Sequence, residues 1–297
     1  MDHRPASPAD SESENDSSGF RFHKDFASQD GDIILAARDS TCFFRVHSFV
    51  LKTTSAWFRA CLSLPQDQKK PLDIIYMDED EATLEMLLIM ICGLPLPVIE
   101  DYDTFDKLIF SAEKYEMLGP ISILRLLVMT PGPLLGQPFR LYAIASRYGW
   151  KEEARFASTQ TLTHSLHDAE IRPLLRRLST DALLELSDLH HNRKIALRER
   201  LNKPPFVASD NAAQSTCNTC HFTIDYHTWR ELKFRIVQEM ETRPSGDSID
   251  IGLTEWPEAK ACWIARCPNR NCGRALYDEE PTRKAIRDVI AELGDSI

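Results

Sequence analysis

The chain has 297 residues, a net charge of −10 at pH 7 and a sequence pI near 5.4, a length that predicts two or three folded units, each able to bury a core. The acidic balance argues against nucleic acid and against an anionic membrane surface as partners, because both need a cationic footprint. The longest apolar stretch, 83 to 98, carries Glu85 and falls short of the roughly 20 residues a membrane span needs, so an intracellular protein of cytoplasm or nucleus is expected, with its cysteines as thiols or metal ligands.

Residues 1–20 read as a disordered acidic tail, since Ser, Asp and Glu bury too little surface to offset the entropy of ordering. Order is expected from "FRFHKDF", which places Phe20, Phe22 and Phe26 ahead of the first strand with no local core to enter, so these aromatics are candidates for a partner contact. "DIILAA" (32 to 37) and "CFFRV" (42 to 46) predict a hairpin, and "LDIIYM" (72 to 77) a third strand. The acidic run Asp78 to Glu81 then meets the start of a helix, where carboxylates suit the dipole. Nothing apolar in the sequence encloses that run as a catalytic carboxylate pair would require.

Leu84, Leu87, Leu88 and Ile91 share one helical stripe, as do Phe105, Leu108, Ile109 and Ala112, and a third helix is expected over 120 to 129. "TPGPLLGQP" (130 to 138) marks a boundary. Beyond it helices alone are expected, including a long one from about Ser179 to Leu201. "AEKY" (112 to 115) and "ASRY" (145 to 148) each close a helix before a turn, which suggests similar helical hairpins. "NKPPFVASDNAAQS" (202 to 215) is a second boundary, so that 131–203 forms a helical extension and 204–297 a separate C-terminal region with helical stripes at Leu232 to Met240 and Ile286 to Leu293.

The usual loop and nucleophile signatures of catalysis are missing: there is no GxGxxG, GxxxxGK[ST], GxSxG or HExxH. The sequence therefore points to binding and not to an enzyme. His164 and His167, with Asp168, are one turn apart but lack further ligands, and of His190 and His191 on successive helical positions one is expected packed and the other wet. The strongest chemical signal is a pair of thiol knuckles, Cys217 with Cys220 and Cys267 with Cys272, separated by the insert 221 to 266. Four thiolates suit a structural zinc ion, expected to draw the sulfurs to within about 4 Å of one another. Cys262 and His221 are spare candidates. Two other readings stand beside zinc: small buried hydrophobes, and a redox sensor or enzyme built on the same Cys pairs.

Residues 31 to 129 resemble a BTB/POZ domain. The resemblance rests on Asp32 opening the first strand, "FRVH" ending in His47, then Val50 and Leu51, then Ser55 and Phe58, with later helices at "DEDEATLEMLLIMICG" and "SAEKYEM". It implies an α+β fold: a BTB/POZ domain over 21–130, a small sheet with helical hairpins, then an all-α extension similar in kind to the BACK region, then the Cys-pair region. It further implies that Asp32 and His47 are buried, with His47 packed on the sheet in a structural role, and that Ser55 caps the next helix. Ser48 stands where many dimeric members carry a basic residue that pairs with the early aspartate. Members that recruit a cullin ubiquitin-ligase scaffold carry a hydrophobic-x-acidic element, for which Thr83 and Glu85 are the matching positions. The implied function is a protein–protein interaction adaptor, self-associating as a homodimer or docking a partner, and the layout is similar to that of BTB proteins of mushroom-type fungi.

Overall fold

In the computed structural model the described residues are 14–15, 21–38, 40–64, 74–207 and 215–297. The fold is mixed α+β, and the chain divides into two compact units, 1–136 and 137–297, parting within the proline-rich segment.

The first unit is built on a small sheet of order β1-β2-β4-β3-β5. Its centre is the hairpin β3 (Ile33–Ala36) and β4 (Cys42–Val46), antiparallel with Ile33 opposite Val46. β2 (Arg21–Phe22) runs parallel to β4, and β5 (Ile74–Tyr76) runs parallel to β3. The segment expected to be a structureless tail contributes β1 (Glu14–Asn15), paired antiparallel with β2. β3 is buried on both faces, which its unbroken apolar run requires, while β4 alternates: Cys42, Phe44 and Val46 point inward.

That alternation overturns one expectation. With Val46 inward, His47 falls on the solvent side and is exposed, as is Asp32. The two residues still serve the chain turn. His47 occupies the cap position of α1 (Ser48–Thr54) without a capping side chain, and the Asp32 carboxylate supplies the missing acceptor, taking hydrogen bonds from the Ser48 N–H and hydroxyl at 2.6 Å each. Partial burial pulls the Asp32 pKa upward, but these two bonds outweigh it and hold the carboxyl below its ordinary value. Leu51 is fully buried beneath α1.

Ser55 caps α2 (Ala56–Cys61), accepting from the Phe58 N–H at 3.0 Å and donating its hydroxyl to the Tyr115 carbonyl at 2.6 Å. Tyr115 continues the linkage: its ring stacks on Phe58, and its phenol bonds to Glu79. Glu79 is buried and also meets Lys114 at 2.9 Å, so the acidic run is not wholly solvated as the sequence implied. Asp80 caps α3 (Glu81–Cys92) at the Thr83 N–H. α4 (Tyr102–Lys114) and α5 (Leu118–Val128) complete the unit; α5 begins two residues before Pro120.

Phe22 and Phe26 are 2% and 4% exposed, which corrects their expected role as exposed partner contacts. His23 between them stacks on Phe44 at 5.4 Å, and the segment folds back as a lid over β4. Burying three rings this way removes apolar surface that water would penalise. Phe20 lies outside the described residues.

The second unit opens with the hairpin α6 (Pro138–Arg147) and α7 (Lys151–Thr161). The echo of AEKY in ASRY has a structural cause, because α4 and α6 end in the same motif. A tyrosine caps each, a residue at positive φ follows (Glu116 at 51°, Gly149 at 66°), and the next N–H bonds back to the alanine carbonyl, Met117 to Ala112 and Trp150 to Ala145, both at 2.8 Å. A short helix α8 (Arg172–Leu175) leads to α9 (Thr180–Arg200), capped by Ser179. His190 on α9 is buried against the Thr161 hydroxyl and His191 is exposed.

The boundary expected at 203/204 does not separate a core. Leu197 of α9 and its C-cap residue Leu201 are packed with Trp229, Leu232 and Ile236 of α10 (His227–Thr242), so the helical extension and the C-terminal region fold together. Two short strands, β6 (Ser215–Thr216) and β7 (Thr223–Ile224), precede α10; α11 (Ile249–Glu255), α12 (Pro257–Ile264) and α13 (Glu279–Ala291) follow it. Arg193, 5% exposed, spends its guanidinium on four carbonyls: Pro244, Ser245, and Leu293 and Gly294 just beyond α13. A buried cation there satisfies loop carbonyls that follow α10 and α13 and would otherwise be left without a donor.

Two measurements test this description. Ser55→Ala removes a cap and strands the buried Tyr115 carbonyl, so denaturant unfolding should show a loss of about 2–3 kcal/mol. Burial first, then the charges of Arg193, His164 and His167, lower the His190 pKa from 6.5 to about 4. Between those values the unfolded chain takes up a proton that the folded one refuses, so stability is full above about 6.5 and falls as pH drops toward about 4, by up to about 3 kcal/mol. His190→Gln should flatten that slope in thermal melts.

Candidate metal centre

The two cysteine pairs sit at the tips of two short hairpins. In the first, β6 and β7 pair with Thr216 opposite Thr223, and the Cys217 N–H closes the tip on the Phe222 carbonyl at 2.8 Å. In the second, Arg266 bridges to Ala275 and the Cys267 N–H bonds to the Arg274 carbonyl at 2.8 Å. Each tip must reverse sharply after its second cysteine, and the residue there takes positive φ in both: His221 at 57° and Gly273 at 58°. Glycine adopts that conformation freely, whereas at His221 the hairpin holds it against a steric cost of about 1–2 kcal/mol.

The four sulfurs converge, all within 4.8 Å of one another. The shortest contacts run between the hairpins, Cys217 to Cys272 at 3.8 Å and Cys220 to Cys267 at 3.6 Å. Those values match the edge of about 3.8 Å expected of a tetrahedron with metal–sulfur bonds of about 2.3 Å. The hairpins also turn backbone donors onto the sulfurs. The Thr219 and Cys220 N–H groups, foremost, bring the Cys217 thiol down to about 6, which favours its thiolate among the four sulfurs. Burial pushes Cys267 up to about 12. At Cys272 the Arg274 N–H pulls downward, but burial and the Cys217 and Cys220 sulfurs raise the thiol overall. Four sulfurs this close do not all ionise without a cation among them, and a dication supplies the compensating charge.

Cys217 and Cys267 are buried with Ile224 in a small core, and Cys220 and Cys272 are half-buried at its edge. Tyr226 and Leu276 pack against both this core and the main core of the second unit, so helix packing fixes the base from which the hairpins project. The four cysteines can therefore hold a metal ion, and their chemistry is compatible with zinc. Of the spare candidates, Cys262 lies in the main core and His221 is exposed, outside the group. His164 and His167 are exposed and also outside it.

The remaining sequence candidates lie in the first unit. Leu51, Ser55 and Phe58 are buried at 0%, 0% and 1% exposure, whereas Asp32 and His47 are on the surface, Asp32 bonded to Ser48. Glu85 is half-exposed and paired with His23, Nε2 to Oε1 at 3.3 Å. His23 accepts at Nδ1 from the Asp25 N–H, which leaves Nε2 as the donor to Glu85. The sequence signal for that pair was thin: a histidine amid three phenylalanines, with its partner sixty-odd residues on.

No family model matches this chain, and no curated protein matches it. Among the described residues no helix is long and apolar enough to cross a membrane.

Added zinc should bind at about one ion per chain and raise the melting temperature of the C-terminal unit. Cys220→Ser together with Cys272→Ser should abolish that rise, as read by differential scanning calorimetry with and without metal.

Proposed function

We propose that this chain is a non-enzymatic interaction adaptor: the first unit acts as a BTB-like docking or homodimerising module, and a structural zinc ion staples the second. The observation that carries the first part is the register of the resembling residues. Asp32 opens β3, His47 follows β4, Leu51 is buried under α1, and Ser55 caps α2 above Phe58. The helical hairpins that follow a small mixed sheet support the same reading.

With Phe22 and Phe26 in the core, the partner surface of this unit rests on other side chains. Phe49 on α1 is 76% exposed, and Leu118 and Leu126 on α5 are 76% and 75% exposed. Apolar side chains of this size kept in water favour a protein partner. Cullin recruitment, within the same proposal, runs through α3, where Glu85 remains half-exposed while Thr83 is buried.

The zinc part rests on the inter-hairpin sulfur contacts. Its role is cohesion, since the hairpins share only a small core of their own.

Light scattering at tens of micromolar should give twice the chain mass, and Phe49→Glu should return the monomer without unfolding it. A monomeric wild type, together with an affinity purification that returns neither the chain itself nor a cullin, defeats the adaptor reading. Metal-loaded thiols should resist alkylation. Fast modification of Cys217 in the zinc-loaded protein instead favours a catalytic or redox thiol.

A further inference from the structure

The second unit contains an open cavity of about 910 Å³, which is at the upper end of the range for binding sites. It lies along α9 between Asp181 and Ala196, about 22 Å at the helical rise. α9 presents two rows to it. The inner row is Ala182, Leu189, Arg193 and Ala196, buried or half-buried; the outer row is Asp181, Glu185 and Asp188, all exposed. The facing wall is the turn between α6 and α7 and the first turns of α7, with Ala145, Trp150 and Ala154 buried and Lys151 and Arg155 exposed at the rim.

Two features distinguish this cavity from a gap in packing. Its floor is mostly apolar, with Ala145, Ala154, Ala182 and Ala196 letting another backbone approach closely and the Arg193 guanidinium turned onto carbonyls. Its rims are sorted by sign, three carboxylates on one side and two cations on the other, and among the described residues none of these five side chains has an ion-pair or hydrogen-bond partner, in a unit where many charges are paired. One end is closed by residues 293–297: Arg193 clasps the Leu293 and Gly294 carbonyls, and the Ile297 N–H bonds to the Ser158 hydroxyl at 3.3 Å.

We infer that this groove docks an amphipathic helix of a protein partner, about four turns long, whose apolar stripe is flanked by basic residues on one side and acidic residues on the other. The spacing supports a helix. Asp181, Glu185 and Asp188 follow one another at four and three residues, as do charges along one flank of a helix, and Lys151 and Arg155 repeat at four. An apolar stripe laid on the alanine floor brings each flank to the rim of opposite sign. The site lies wholly within the second unit, so it goes beyond the docking role proposed for the first, and either can fail without the other.

The test uses the full zinc-loaded chain and a labelled helical peptide of about 15 residues with a leucine stripe, one lysine flank and one glutamate flank, read by fluorescence anisotropy. Wild type should bind it saturably. Glu185→Lys with Asp188→Lys, both at exposed positions, should weaken binding about tenfold or more. A second peptide with glutamate on both flanks should reverse the order, binding the double variant better than wild type. No saturable binding by wild type overturns the inference, as does equal binding by the double variant or failure of the acidic peptide to prefer it. Sedimentation of both proteins decides the remaining alternative: self-association lost in the double variant identifies the occupant as a second copy of this chain and overturns the inference as stated.

Discussion

The second unit depends on bringing four sulfurs to within 4.8 Å of one another from hairpins that are far apart in sequence. Two constraints meet there. Each hairpin must turn tightly enough to aim two thiols the same way, which forces positive φ at His221 and Gly273. The two hairpins must also be held side by side, and no contact local to either can do that. α9 through α13 provide the frame, because Tyr226 and Leu276 join the cysteine core to the helical one. Helix packing thus places the two ends side by side, where the four sulfurs can hold a metal ion.

The first unit solves a related problem with hydrogen bonds. Tyr115 closes α4 and carries three attachments: its carbonyl takes the Ser55 hydroxyl, its ring packs on Phe58, and its phenol reaches Glu79 ahead of α3. One residue thus ties the α1–α2 turn to the acidic run. Burial drives the Tyr115 phenol up to about 12, so it stays protonated and keeps donating. Lys114 and Arg38 surround the same run, and the Lys114 ammonium beside Asp78 holds that carboxyl below its usual range. This arrangement ties the charge cluster, which the sequence placed at a helix start, into a junction between α2, α3 and α4.

The proposed adaptor function therefore distributes surfaces between two separately packed units. The first offers exposed Phe49, Leu118 and Leu126, and the second a groove with charge-sorted rims. Neither surface includes the four-cysteine cluster, of which Cys217 and Cys267 are buried and Cys220 and Cys272 half-buried in a small core. A metal in such a position contributes folding energy, and its removal acts on the partner surfaces only through the stability of the unit.

Local interactions made much of this legible in the sequence. The β3–β4 hairpin, the acidic start of α3, the beginning of α9 near Ser179, and the stripes of α3, α4 and α10 follow from periodicity and helix-end chemistry that act over a few residues. The two cysteine pairs were likewise visible as spacing. Tertiary packing decided the rest. Whether Phe22 and Phe26 face water or the core depended on a fold-back onto Phe44, and the exposure of His47 depended on the phase of β4, which a one-residue slip would have reversed. The shared core of α9 and α10 crosses a proline-rich segment that composition marks as a boundary, because apolar surface is buried by contact in space and not by adjacency along the chain. The same reason applies to the groove: Asp181, Glu185 and Asp188 read as an ordinary solvated face until α7 and its cations are placed across from them.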